Sequence, residues 1–509
     1  MLEAYIEKSV MQRIALLNVL LEFNEIPVED VCAITSLDQK NLLGVFTDLQ
    51  EQFLGELTLT FDSTTLTLTE KTERHKTYYF YQVYRTSTFL KALRFFILNP
   101  TNKMTDFTNE VFVSVASGYR IRKKCLSFLT SVGLSLEKNK VTGPEYRLRY
   151  LIAYLQYQYG IELYDLSKDL EIVKRFIVSS NDNLSLEVLD ITPNECLFFG
   201  ILVALVWRRK AYATDLPQVA QFDEIKQIFT YQQLVAQARE IIQPRLDIEL
   251  SDEDYDFIFL AYCTTHTPLF KDKWTAVDLD NLVRIVFTHT KVKSLITKLE
   301  PILGLEVISD KDFLIDMVIM FKSFVFGLQN IVPNDNYYDY MLYRATDTFT
   351  LIIQEIAQEW RKEAQVLGEV NRYHSLQLAL HLKEMLKNAL PPIPVYICLN
   401  NQAILKHVAS ILSRNFTAKV VDIQQFNILL DKPFEASAFT NDLVIITQRE
   451  YLPYFKKRYP TDKVHYIPVT LGLPSHQQYL IHQTLLKLWQ TTYDNKVESI
   501  AQGLSTKNI

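Results

Sequence analysis

The chain has 509 residues, a mass of 59.4 kDa and a formal net charge of −6. That length accommodates roughly three to five domains, each with its own core and no need of disulfide or metal staples. Hydrophobic residues make up 48% and charged residues 22%, which excludes a disordered or fibrous chain, and only 12 glycines exclude a turn-dense all-β architecture. A mainly α, multidomain protein is expected.

Cys32, Cys125, Cys196, Cys263 and Cys398 are scattered, with no CxxC pair. Neither a disulfide framework nor a thiolate zinc site is encoded, no metal or cofactor is expected, and a reducing cytoplasm fits. The opening MLEAYIEKSVMQRI has early acids and no apolar signal-peptide core. The longest apolar run, 197–207, has 11 residues, against the ~20 needed to span a bilayer. It reads as a buried helix, and no membrane partner is expected.

Charge is unevenly placed. Residues 1–73 hold 4 Lys/Arg against 13 Asp/Glu, whereas 74–149 hold 14 against 4, a local balance of +10. A basic module inside an acidic chain is the footprint of a protein that touches phosphate with one part only.

In chain order, SVMQRIALLNVLLEF reads as an apolar helix and PVEDVCAIT as a second, with Pro27 at its start. Ser36 and Asp38 cap a third, LDQKNLLGVFTDLQEQF, and ELTLTFDSTTLTLTE alternates as a hairpin turning at Asp62–Ser63. The layout is that of a winged helix-turn-helix, although Asp38, Lys40, Asp48 and Glu51 make its third helix a poor phosphate surface. A second module repeats the plan. STFLKALRFFIL ends at Asn99-Pro100, TDFTNEVFVS follows, and 114–131 is the recognition helix, capped by Ser114 and stopped by Gly133. LSLEKNKVTGPEYRLRYL is expected to form two strands with a turn around Thr142–Pro144.

At about 100° per residue, Gly118, Ile121, Cys125, Phe128 and Leu129 face inward. Ala116, Tyr119, Arg120, Lys123 and Ser127 face outward, with Arg122 and Lys124 at the flanks. The expected contacts to duplex DNA are therefore Ser117, Tyr119, Arg120, Arg122, Lys123 and Lys124 on the helix, and Lys138, Lys140 and Arg147 on the wing.

VYRTSTFLKALRFFIL, YRIRKKCLSFLTSVGLSLE and GPEYRLRYLIAYL together resemble the helix-turn-helix region of the Mga/AtxA-type virulence regulators, transcriptional regulators of Gram-positive bacteria. A Tyr-Arg in the recognition helix followed by G-x-E-x-R-x-R-Y-L is the distinctive combination, and the resemblance extends along nearly all the chain.

Residues 160–390 read as amphipathic helices, among them NECLFFGILVALVWRRKAY, QVAQFDEIKQIFTYQQLVAQAREII and DFLIDMVIMFKSFVFGLQN. They divide near residue 275 into halves with SDEDYDFIFLAYCTTH and NRYHSLQLALHLKEML in comparable places. The halves resemble tandem PRD modules, helical bundles whose histidines accept phosphate from the sugar phosphotransferase system. Of His266, His289, His374 and His381, the resemblance implies His266 and His381 as phosphorylation candidates, while Phe321 stands where an early histidine of the second half is expected.

From Pro391, apolar strands (PPIPVYICL, AKVVDI, DLVIITQ, KVHYIPVT) alternate with helices, which implies a parallel sheet. The region resembles enzyme IIB of the phosphotransferase system, whose phosphorylated cysteine ends the first strand. Cys398 occupies that place, but Leu399-Asn400-Asn401-Gln402-Ala403 lacks the glycines and hydroxyls of a phosphate nest. The domain is expected to be non-catalytic and to serve self-association.

The expected organisation is a winged helix-turn-helix over 1–71, a basic one over 72–159, PRD-like bundles over 160–275 and 276–390, an enzyme IIB-like α/β domain over 391–495 and a polar tail over 496–509. The implied protein is a non-enzymatic, cytoplasmic, homodimeric regulator that binds duplex DNA and receives phosphate from a phosphotransferase-system phosphocarrier protein. Two other readings remain open: a phosphocarrier using Cys398, and an RNA-binding antiterminator, since such proteins also carry tandem PRD modules.

Overall fold

The computed structural model describes residues 2–62, 64–72, 74–98, 103–191, 196–217, 220–227, 229–265, 269–270, 273–288, 290–304, 308, 311–333, 347–434, 442–470 and 472–505. They fall into two compact units: Met1–Lys298 with Lys311–Thr346 and Gln354–Leu376, and Leu299–Asp310 with Asp347–Ile353 and Gln377–Ile509. Helix dominates, as composition implied. Among the described residues no helix is long and apolar enough to cross a membrane.

In the first unit, α1 (Lys8–Phe23), α2 (Val28–Thr35) and α3 (Gln39–Gln52) precede the hairpin of β2 (Leu57–Phe61) and β3 (Thr65–Glu70). The Asp38 carboxylate accepts the Asn41 N–H at 2.8 Å and so starts α3. A strand absent from the sequence expectation, β1 (Glu25–Pro27), pairs antiparallel with β3.

The second module comprises α4 (Lys76–Tyr84), α5 (Thr88–Leu98), α6 (Met104–Glu110), α7 (Val115–Ser131), β4 (Ser135–Glu137) and β5 (Lys140–Thr142). Its hairpin differs from expectation. Glu137 pairs with Lys140, so the turn is Lys138–Asn139, with φ of 46° and 64°, and not Thr142–Pro144. EYRLRYL is not a strand but the start of α8 (Glu145–Tyr159), entered through Pro144. Proline cannot donate to a strand ladder yet suits a helix start, and Tyr146, Tyr150, Leu151 and Tyr154 are buried at helical spacing.

The two modules are tied by the chain's first residues. The Tyr5 ring stacks on Phe89 at 5.7 Å and meets Phe128 edge-on at 5.7 Å. Glu7 caps α5 from a distance: its carboxylate accepts the Ser87 hydroxyl at 2.6 Å, the Phe89 N–H at 3.0 Å and the Thr88 hydroxyl. Burial raises the Glu7 pKa, but these donors together overrule it and hold the carboxyl below its ordinary value. A depressed folded pKa adds stability that is present above the unfolded pKa of about 4.3 and lost as pH falls through the folded value. Glu7→Gln is therefore expected to lower the melting temperature at pH 7, with the difference from wild type closing as the melts are repeated towards pH 3.

Behind the modules lie α9 (Ser167–Ser179), α10 (Leu186–Ile191) and α11 (Leu197–Arg208). Helix α11 is the apolar run, buried continuously from Phe198 to Val206 as expected. The stretch QVAQFDEIKQIFTYQQLVAQAREII is not one helix: it breaks into α12 (Ala220–Ile225) and α13 (Phe229–Gln237), and a π turn, Ala238–Ile242, leads into α14 (Gln243–Leu246) with Pro244 in its first turn. Helices α15 (Asp252–Thr264), α16 (Ala276–Thr288), α17 (Thr290–Leu303), α18 (Lys311–Val325), α19 (Thr348–Glu363) and α20 (Arg372–Asn388) follow. One continuous core runs from Leu2 to Ile331, so both helix-turn-helix modules and the first helical bundle share an interior.

In the second unit, β6 (Ile393–Leu399), α21 (Gln402–Asn415), β7 (Val421–Asn427), β8 (Leu443–Gln448), α22 (Leu452–Arg458) and β9 (Val464–Val469) build a four-stranded sheet of order β7-β6-β8-β9. All pairings are parallel, as the strand–helix alternation required. The closing helix α23 (Ser475–Ser505) corrects the polar tail expected from residue 496. Tyr493, Val497 and Ile500 continue its buried stripe at helical spacing, and that burial carries the helix on.

Candidate nucleic-acid interface

The site is built on α6 and α7. Phe107 packs between Phe95 (5.4 Å) and Phe96 (6.0 Å), which seats α6 on α5. Helix α7 crosses α6 at Gly118, where an added β-carbon would lie 2.4 Å from the Thr108 methyl. Only glycine permits that approach, and it fixes the angle of α7. Cys125, Phe128 and Leu129 are buried on the same face, with Ile121 half-buried, and burial pushes the Cys125 thiol pKa up.

The opposite face is open. Tyr119, Arg120, Lys123, Lys124 and Ser127 are exposed, and Ser117 is half-buried. Ser114 caps α7 by accepting the Ser117 N–H at 3.2 Å. The Ser117 hydroxyl in turn accepts the Ser114 hydroxyl at 3.0 Å and an Arg120 N–H at 3.1 Å. The first turn of α7 is thus a polar network with its guanidinium already aimed.

Lys138 and Lys140 are exposed on the hairpin. Arg122 is half-buried and donates to the Asn139 side-chain oxygen at 3.0 Å, so it anchors the hairpin turn to α7.

Arg147 requires correction. It is buried rather than on a wing surface, and donates to the carbonyls of Val132 (3.2 Å), Phe326 (3.3 Å) and Gly327 (2.8 Å). Because α8 replaces the expected strand, the side chain turns inward and closes the C-terminal end of α7.

Sequence reasoning missed the residues that hold this module in place. Glu145 accepts two bonds from Arg209, at 2.6 and 2.8 Å, and one from Arg149 at 3.2 Å. All three side chains are buried. The repeated Arg in EYRLRY, followed by RR at 208–209, is the available signal, but Arg147 and Arg149 read as part of the basic module's surface charge.

The other candidates lie elsewhere. His266 and His289 fall outside the described residues. His381 is half-buried on α20. His374, on the same helix, is enclosed with its ring 4.9 Å from Phe324, and burial pushes its pKa down to about 3, so it is neutral at physiological pH. The side chain of Cys398 is buried at the end of β6, where burial raises the thiol pKa. The following loop is used locally: Asn401 caps α21 through the N–H groups of Ala403 (3.0 Å) and Ile404 (3.3 Å).

Comparison with known proteins matches residues 75–156 to the Mga helix-turn-helix domain and residues 189–386 to the M protein trans-acting positive regulator (MGA) PRD domain, together more than half of the chain. The chain belongs to the Mga family of transcriptional regulators. The helix-turn-helix match runs from the start of α4 into α8 and therefore takes in the whole basic module. The chain is also 19% identical over 326 residues to the capsule synthesis positive regulator AcpB of Bacillus anthracis. That match spans 61% of this chain and 66% of the relative, just under two thirds of its length.

Proposed function

We propose that this Mga-family chain regulates transcription by binding duplex DNA with α7 in the major groove and the β4–β5 hairpin against the backbone. The observation that carries the reading is the outward face of α7, where Tyr119, Arg120, Lys123 and Lys124 are exposed around a polar, capped N-terminal turn. Lys138 and Lys140 on the hairpin add charge beside it. Bound cations that displace counterions make affinity fall steeply with salt, by about 0.9 in log–log slope per phosphate neutralised. A salt titration of the purified chain on duplex DNA, with single-stranded RNA in parallel, tests the reading. Steep, duplex-preferring binding supports it, whereas RNA preference would favour an antiterminator.

Self-association is assigned to the C-terminal sheet unit, on which Leu429 and Leu430 are 76% and 77% exposed. Among the described histidines of the PRD region, His381 rather than enclosed His374 is the one we assign to receive phosphate from a phosphocarrier protein. Cys398 is given no phosphate-transfer role, because its side chain is buried and its loop forms a helix cap. Cys398→Ser is accordingly expected to bind duplex DNA within about twofold of wild type. Detection of phosphocysteine by mass spectrometry, after incubation with phosphotransferase components, would contradict that assignment.

A further inference from the structure

The turn between α6 and α7 carries a residue that the charge pattern leaves unexplained. Phe112 has φ of 55° and a side chain that is 94% exposed. It follows the C-cap Val111, and the Val113 N–H donates back to the Thr108 carbonyl at 3.1 Å. This is the helix ending at which a left-handed glycine is usual. A residue with a β-carbon is strained there, and a ring left in water returns no burial free energy to offset the strain. Folding alone favours glycine at this position.

The apolar surface continues beyond Phe112. Ser114 caps α7 two residues later, and Val115 and Tyr119, one helical turn apart, are 51% and 57% exposed. Three apolar side chains therefore gather at the leading end of α7, bordered by exposed Arg120, Lys123 and Lys124. Duplex DNA offers a complementary feature. The C5-methyl of thymine is the apolar group of the major groove, and it lies between two phosphate backbones.

We propose that Phe112, supported by Val115, reads a thymine methyl in the DNA site, making it a specificity-determining residue. The inference rests on the duplex-binding reading above. A non-specific contact would not need an aromatic ring on a strained turn, because phosphate attraction is indifferent to sequence.

The test uses the full chain and a duplex enriched from a random pool by the wild-type protein. Phe112→Gly relieves the backbone and should melt at the wild-type temperature or above, so lost binding is not lost folding. Its affinity for the enriched duplex should fall about tenfold, the scale of one mismatched base pair. Binding to unselected duplex and the salt slope should be unchanged. Replacing thymines of the enriched duplex with deoxyuridine should weaken wild type but not F112G. Wild-type affinity in F112G, equal weakening of both proteins by deoxyuridine, or a reduced salt slope in F112G would each overturn the methyl contact while leaving duplex binding standing. Absence of any duplex binding by the wild-type chain would remove both readings together.

Discussion

Replacing Arg120 and Lys123 together with alanine is expected to lower the magnitude of the log–log salt slope of duplex binding by about one to two, and to weaken binding roughly 10- to 100-fold at moderate salt. Both side chains are exposed, and Arg120 donates to the Ser117 hydroxyl at 3.1 Å. Their removal therefore takes charge from the surface without opening the core beneath, where Gly118, Cys125, Phe128 and Leu129 remain packed. Truncating exposed side chains usually changes stability by less than about 0.5 kcal/mol, so melting should be unaffected. The contrast with Arg147→Ala is informative. That residue lies in the same charge cluster but is buried against three carbonyls, so its loss should appear in stability first. An unchanged salt slope in the double variant would remove α7 from the interface.

Glu145→Gln is expected to destabilise the first unit by roughly 3–5 kcal/mol, the usual cost of removing one partner of a buried ion pair. Glu145 stands between two guanidiniums, both buried: Arg149 from its own helix and Arg209 just after α11. Burial lowers the Arg149 pKa and Glu145 pulls it back up, so the carboxylate is what makes the buried charge tolerable. Arg149 also lies over the Phe257 ring at 4.8 Å, and Arg209 donates to the Tyr164 hydroxyl at 2.8 Å. An amide in place of the carboxylate takes away the charge that both guanidiniums bond, and Arg149 keeps only the weaker attraction of Asp254. Thermal melts or urea titrations followed by circular dichroism measure the loss. Combining Glu145→Gln with Arg209→Met should cost less than the sum of the single changes, since the second change removes a charge that the first left stranded. A wild-type melting point for Glu145→Gln would refute the account.

Much of helix α7 was legible because helical periodicity is a local property. The inward set at Gly118, Cys125, Phe128 and Leu129, the outward set at Tyr119, Arg120 and Lys123, and the Ser114 cap all follow from 3.6 residues per turn and from the orphan donors of a helix start. The parallel sheet was legible for a related reason, because strands buried on both faces must be apolar throughout and need crossover helices to connect them. The resemblance to the Mga family rested on runs within residues 83–155, which the helix-turn-helix match covers.

What failed were readings that needed partners far apart in sequence. EYRLRYL has an alternation that suits a strand as well as a helix, and only packing on all sides of α8 decides between them. Once it is a helix, Arg147 must point into the protein, where carbonyls near residue 326 receive it. A count of positive residues cannot tell an arginine bound for phosphate from one bound for a buried carbonyl. Nor does composition show that Tyr5 and Glu7 complete a module whose other parts begin about 80 residues later. The sequence by itself determined which face of α7 is apolar and which carries charge, and that apolar strands alternate with helices after residue 391, because those depend on neighbours within a turn or two. Tertiary structure alone decided which arginines are buried and which helix caps are borrowed across the chain, because burial is set by what the rest of the chain brings alongside.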